Sequence, residues 1–246
     1  METDRAATTA LRPQRPGGNE LPALLRAFYD ALFASFGPQH WWPGRTRFEV
    51  VVGAILTQNT AWTNVEKAIA RLRERRMLTA EALHRATPGE IAGLIRPAGY
   101  FNVKAARLKA FTDRLFERHG GSLRRLFRLD DGALRKELLS VKGIGPETAD
   151  SIMLYAARRA VFVIDAYTKR ILTRHGLADH AADYAGLQRL FMDNLPPDTA
   201  LFNEYHALLV KAGKDFCRPA APRCGPCPLN PYLEGDGPLL QKSHGR

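Results

Sequence analysis

Apolar side chains recur at helical spacing along most of this chain. Leu21, Leu24, Leu25, Phe28, Leu32 and Phe36 share one face, which predicts an amphipathic helix closed by Gly37-Pro38. Residues 47–55 predict a second helix, 57–62 interrupt it, and 65–73 predict a third. Thr87-Pro88-Gly89-Glu90 reads as a capping box with proline at the first helical position, opening a helix that ends near Arg96-Pro97. A turn at Gly99-Tyr100 then leads into a helix running to about His119, with Lys104, Arg107, Lys109, Arg114 and Arg118 on a basic face. Two apolar helical runs flank Gly143-Ile144-Gly145 within 138–167. Residues 168–174 read as helical with Lys169 and Arg170 exposed, and 184–195 as an amphipathic run stopped by Pro196-Pro197. Asp198 caps a last helix to about Ala212, closed by Gly213. The one β-like run, 161–164, is too short to build a sheet, so the expected class is all-α, without internal repeats.

Three stretches carry candidate chemistry. Glycines at 143 and 145 allow a tight turn with positive φ and leave bare N–H groups at the start of the next helix, where a phosphate is favoured. A plain αα-hairpin with a glycine cap has the same local signature. Asp165, 18 positions after Glu147, opens the following helix. The three tryptophans, Trp41, Trp42 and Trp62, lie within 22 residues. Trp is ordinarily well buried, but two adjacent Trp followed by Pro43 cannot both face one helical core. At least one is expected to line a surface or cleft, where an aromatic plane can stack on an extruded base. The only cysteines follow the spacing Cys217-x6-Cys224-x2-Cys227; their odd number and clustering argue against disulfides.

Composition narrows the partners. The 246 residues suffice for one large domain or two small ones, and 45% hydrophobic with 25% charged residues fits a packed core. A formal net charge of +11 and a pI of about 9.9 suit a polyanion, nucleic acid being the commonest. No run of 18 apolar residues exists, so no membrane span is expected. Residues 1–20 lack the apolar core of a secretory signal and read as a flexible basic leader.

The sequence G-I-G-P-E-T-A-D at 143–150, followed by V-I-D-A-Y at 163–167, resembles the helix-hairpin-helix and Gly/Pro-Asp loop of the endonuclease III superfamily of DNA glycosylases. With W-W-P at 41–43 and F-E-V-V-V-G-A-I-L-T-Q-N-T-A-W at 48–62, it looks most like the 3-methyladenine DNA glycosylase III branch, over about residues 41–216. The resemblance implies a two-domain, all-α fold with a cleft between the domains. One domain, 45–154, would be a helical barrel carrying the hairpin; the other would join 21–44 to 155–233, leaving a flexible tail at 234–246.

It also implies roles. Lys142, Gly143, Gly145 and Thr148 would meet a DNA phosphate, and Asp165 would be the catalytic carboxylate. Glu147 stands where bifunctional members carry the Schiff-base lysine, which implies hydrolysis without AP-lyase activity. Trp41 and Trp62 would sandwich the damaged base, with Trp42 and Pro43 as the remaining wall. Lys214 holds the position of a basic residue facing the pocket, a surface lysine being the alternative. Gln58 matches the glutamine pushed towards the vacated stack, or is simply a helix-terminal polar residue. Tyr100 would be the wedge beside the lesion, or a buried tyrosine. The cysteines repeat the first three ligands of the superfamily's [4Fe–4S] loop, with Leu233 at the fourth position and only His244 downstream able to ligate. Since a cubane takes four ligands, cluster held and cluster lost both stay open. The function so implied is a monofunctional glycosylase for alkylated purines such as 3-methyladenine, acting as a monomer on damaged double-stranded DNA in the cytoplasm, at the nucleoid if bacterial. The alternatives are an endonuclease III-like enzyme for oxidised pyrimidines or mismatched bases, and a non-catalytic DNA-binding relative.

Overall fold

The computed structural model describes residues 20–233 and 237–239; the basic leader up to residue 19, most of the tail, and His244 lie outside them. Among the described residues there are twelve α-helices and no strand: α1 Leu21–Phe36, α2 Arg47–Leu56, α3 Trp62–Glu74, α4 Ala80–Arg85, α5 Pro88–Leu94, α6 Phe101–His119, α7 Leu123–Leu126, α8 Asp131–Leu139, α9 Pro146–Ser151, α10 Ala166–Arg174, α11 Tyr184–Met192 and α12 Thr199–Asp215. Many start at a side chain that accepts from an orphaned N–H. Thr46 accepts from Glu49, Asp130 from Ala133 and Asp183 from Gly186, while Thr87 and Glu90 form both halves of a capping box. Such caps are each worth about 0.5–2 kcal/mol.

The chain divides into two units. One comprises 40–163 with 196–206; the other comprises the described parts of 1–39, 164–195 and 207–246. Residues 40–44 and 155–163 thus belong with the hairpin unit rather than with α1, because Trp42 packs on Trp62 and Tyr155, and Phe162 on Phe202 and Tyr205. The centre of the hairpin unit is α2. Phe48 through Leu56 are all buried, so this helix is apolar nearly all round and takes α3, α6 and α9 against it. In the other unit, Leu25, Phe28 and Leu32 of α1 are fully buried; Phe28 meets His175 edge-on at 5.0 Å, and Phe36 stacks on Phe216.

The expected basic face on α6 is largely not one. Lys104 is 1% exposed; its Nζ donates to the carbonyls of Leu56 (2.9 Å) and Ala98 (2.7 Å), and burial lowers its pKa to about 8. Helical spacing put it on the same face as Arg107, but the carbonyls that end α2 and precede Gly99 need a donor and take it inward. Lys109 is bound by Asp113, and Arg114 by both oxygens of Glu137. Lys169 and Arg170, expected to be exposed, instead donate to backbone carbonyls, Lys169 to Ala182 and Arg170 to Gly213 and Cys217. The last helix passes Gly213 and ends at Asp215.

His175 gives the second unit an acid weakness. It is buried, and burial pushes its pKa down to about 4, partly offset by its bond to the Tyr232 carbonyl. The unfolded chain takes up this proton near pH 6.5, while the folded one refuses it until about 4. Its contribution is therefore complete above 6.5 and is lost as pH falls towards 4. Thermal melting between pH 7 and 4.5 should fall more steeply for the wild type than for His175→Phe, by on the order of 2 kcal/mol. Parallel curves would show that another group sets the acid limit.

Candidate active site

The hairpin between α8 and α9 is built around Gly143. Its φ of +90° suits only glycine, and a Cβ there would lie 2.5 Å from Cγ of Arg107. Gly145 differs from the sequence expectation. It is extended (φ −93°, ψ −180°), a conformation open to any residue, and it caps α9, which starts with Pro146. Ile144 donates to Val141 and is buried, turning the tip outward. Lys142, Gly143, Gly145 and Glu147 are exposed, whereas Thr148 is 7% exposed and its hydroxyl accepts from Gln58 Nε2 at 2.9 Å. Thr148 is thus an internal support of the hairpin, not part of its outer surface. Behind it, the Asp150 carboxylate, fully buried, receives both Nε (2.8 Å) and Nη2 (3.1 Å) of Arg135. This bidentate pair fixes α9 to α8.

The three tryptophans come together in this same unit, each half-buried. Trp42 stands edge-on to Trp62 (4.9 Å, 81°) and Trp41 is tilted on Trp62 (5.7 Å, 53°). A base held between two rings needs them parallel and roughly 7 Å apart, two van der Waals contacts. The expected Trp41–Trp62 sandwich is therefore not formed without DNA: the rings fill the space themselves. Pro43 is exposed at the edge of the cluster. Trp41 Nε1 is buried with no acceptor among the described residues. Two supports of the cluster carried no signal recognised in the sequence. A π-helical turn, Ile152–Ala156, follows α9 and sets Tyr155 on Trp42 at 5.0 Å, its hydroxyl bonded to His206 Nδ1 at 2.5 Å. Gly53, mid-helix in α2, leaves the room Trp42 uses, since a Cβ there would be 3.1 Å from the indole Nε1 and 3.2 Å from Cζ2. An interior helical glycine is less stable than alanine by about 1 kcal/mol, so such a residue marks a close approach. Gly53→Ala should displace Trp42 and shift the tryptophan emission while leaving the fold intact. An unchanged spectrum would mean that the ring yields without moving the cluster.

Tyr100 is 72% exposed on a left-handed residue (φ 44°) between Gly99 and α6, so the ring is not the buried tyrosine that was the alternative. Gln58 lies in the turn after α2 with its amide engaged by the hairpin and by Arg107.

The other unit presents Asp165. It N-caps α10, with Oδ1 accepting from Thr168 N at 2.7 Å, and is half-exposed. α10 is held close to α12 at Gly213, where a Cβ would come within 2.5 Å of the Tyr167 ring. Lys214, next along, is exposed.

The family model of the HhH-GPD superfamily of base excision DNA repair proteins matches residues 52–197. The chain belongs to that superfamily. A protein of Methanocaldococcus jannaschii assigned as a DNA repair glycosylase is 44% identical over 211 residues, 85% of this chain and 95% of the relative. Endonuclease III of Thermotoga maritima is 28% identical over 187 residues, covering 76% and 82%. The crystal structure of the Helicobacter pylori 3-methyladenine DNA glycosylase bound to 1,N6-ethenoadenine superposes with a TM-score of 0.69 at 26% identity, covering 79% of this chain and 97% of that one. The protein is thus an all-α, endonuclease III-like DNA glycosylase of base excision repair.

In this HhH-GPD protein the cysteine loop can be tested against the cluster that the resemblance brings with it. Cys217, Cys224 and Cys227 line one pocket with Arg174, Leu229 and Leu233. Arg174 Nη1 donates to Cys217 Sγ at 3.4 Å and to the Arg218 carbonyl, and burial pushes the Cys227 thiol up to about 11. The fourth-ligand position is Leu233, 6% exposed, and no three His, Cys, Asp or Glu among the described residues are placed to hold a metal ion. Three thiols and a leucine do not make up a cubane's four-ligand set.

Proposed function

We propose that this protein is a monofunctional DNA glycosylase that hydrolyses the N-glycosidic bond of alkylated purines, 3-methyladenine among them, acting as a monomer on double-stranded DNA. The observation that carries this reading is the cluster of Trp41, Trp42 and Trp62 in the hairpin unit, backed by Tyr155. N3-alkylation makes adenine cationic, and a cation over an aromatic face gains ~0.5–2 kcal/mol beyond stacking. The likeness to a 3-methyladenine glycosylase holding an etheno-purine supports the same choice.

Extruding the base costs a few kcal/mol of unstacking. The tryptophans then rotate apart to take it, with the indole Nε1 of Trp41 as an unused donor. The alkylated base already leaves as a good leaving group, so little acid catalysis is needed, and the sugar becomes oxocarbenium-like. The Asp165 carboxylate stabilises that charge and orients or deprotonates the attacking water. The hairpin holds a neighbouring phosphate through its exposed amide groups, and Tyr100 fills the stack beside the lesion.

Glu147 stands on the first turn of α9, where a lyase needs an amine to form an imine with C1′ of the sugar. A carboxylate cannot do this, so the strand stays intact. Borohydride trapping on an abasic duplex should give no adduct with the wild type, while Glu147→Lys gains weak trapping. A covalent wild-type adduct on any lysine would overturn the monofunctional reading and favour the bifunctional, oxidised-pyrimidine alternative.

A further inference from the structure

Gln58 does not wait idle in the DNA-free protein. Its Nε2 donates to the Gly143 carbonyl at 3.1 Å and to Thr148 Oγ1 at 2.9 Å, and its Oε1 accepts from Arg107 Nη1. Both polar ends of the amide are engaged by the hairpin and α6. The side chain of Arg107 in turn lies across the tip of the hairpin, so close that a Cβ on Gly143 would sit 2.5 Å from its Cγ and 2.7 Å from its Nε. Arg107 forms no ion pair among the described residues, unlike its neighbours Lys109 and Arg114 on the same helix. It spends one N–H on a neutral amide, and its charge weighs against that of buried Lys104. A guanidinium without a counter-ion, laid over exposed hairpin amides, is placed to meet an anion arriving there.

We propose that Arg107 is a second ligand of the DNA phosphate taken by the hairpin and that, in turning to it, it gives up Gln58, so that gripping the backbone and releasing this glutamine are one coupled event. Arg107 is a positioning residue: its hold on Gln58 keeps the amide parked on Gly143 and Thr148, and the phosphate competes for the guanidinium. Coupling of this kind is reciprocal, so the state of Gln58 feeds back on phosphate affinity. The inference rests on the duplex-binding half of the function proposed above and not on which base is removed, so the two fail separately.

The test is a double-mutant cycle of Arg107→Leu and Gln58→Ala, read as binding to an undamaged duplex across a salt series and to a duplex with a tetrahydrofuran abasic analogue. Arg107→Leu should weaken undamaged-duplex binding and reduce the magnitude of the salt slope by about one. Gln58→Ala alone should leave that slope unchanged. On the abasic duplex the loss caused by Gln58→Ala should grow several-fold in the Arg107→Leu background, because the wild-type glutamine must first break its bond to Arg107 and the glutamine of the variant need not. Arg107→Lys, which keeps the charge without the planar fork, should restore the slope but not the coupling. If Arg107→Leu melts early, Arg107→Gln, which keeps a donor for Gln58 and drops the charge, reads the same slope. An unchanged slope in these charge-removing variants would overturn the phosphate contact, and additive losses on the abasic duplex would overturn the link to Gln58.

Discussion

Asp165→Asn is expected to bind lesion-containing duplex as the wild type does and to release its base at least roughly 10²–10³-fold more slowly, the scale of losing one aligned electrostatic stabiliser. The substitution is a clean one. Asp165 N-caps α10 through Thr168 N, and Asn caps a helix about as well as Asp, so the local structure is retained. What is lost, under the proposed mechanism, is the negative charge that stabilises a developing oxocarbenium-like sugar. Single-turnover base release and duplex affinity, measured on the same preparation, separate the two effects. Near wild-type release would remove Asp165 from the chemistry, and loss of binding in parallel would show that its role is in docking.

The second large effect concerns stability. Arg135→Met takes the bidentate partner from a carboxylate with no solvent exposure, and breaking a buried pair from one side costs about 3–5 kcal/mol. For a chain of this size that lowers the melting midpoint by roughly 10 °C. Pairing it with Asp150→Asn removes the stranded charge and should recover part of the loss. A midpoint unchanged by Arg135→Met would mean that other partners satisfy Asp150 by themselves. The pair bears on the proposed phosphate contact as well, because Asp150 lies in the helix that opens at the hairpin, and loosening it should weaken that contact before the whole unit unfolds.

Much of this was legible in the chain itself. The capping box at Thr87, the 16-residue α1 and the Gly-Ile-Gly turn are local signals, set by caps, periodicity and one glycine with positive φ, and they fall where the sequence puts them. Side-chain destinations were harder to read. Lys104 looks like surface charge on a helical wheel, yet two carbonyls from other segments claim its ammonium. Thr148 follows the hairpin glycines as if to face a phosphate, but it turns inward to Gln58. Tyr155 reaches Trp42 only because a π-helical turn advances it, and no pattern recognised in the sequence marked that turn. The tryptophans gather, as the resemblance implies, but their rings pack on one another rather than stand apart. Ring packing without a ligand follows from burying apolar area, which a spacing argument does not see.

A monofunctional alkylpurine glycosylase is defined by which base leaves and by what remains of the strand. A panel of duplexes, each with one lesion and an end label, tests both at once: an N3-alkylated adenine, an oxidised pyrimidine, adenine opposite 8-oxoguanine, and a thymine mismatch, each assayed with and without hot alkali. Release should be fastest for the alkylated adenine, and the strand should break only after alkali. Preference for the oxidised pyrimidine, or strand cleavage before alkali, would contradict the account.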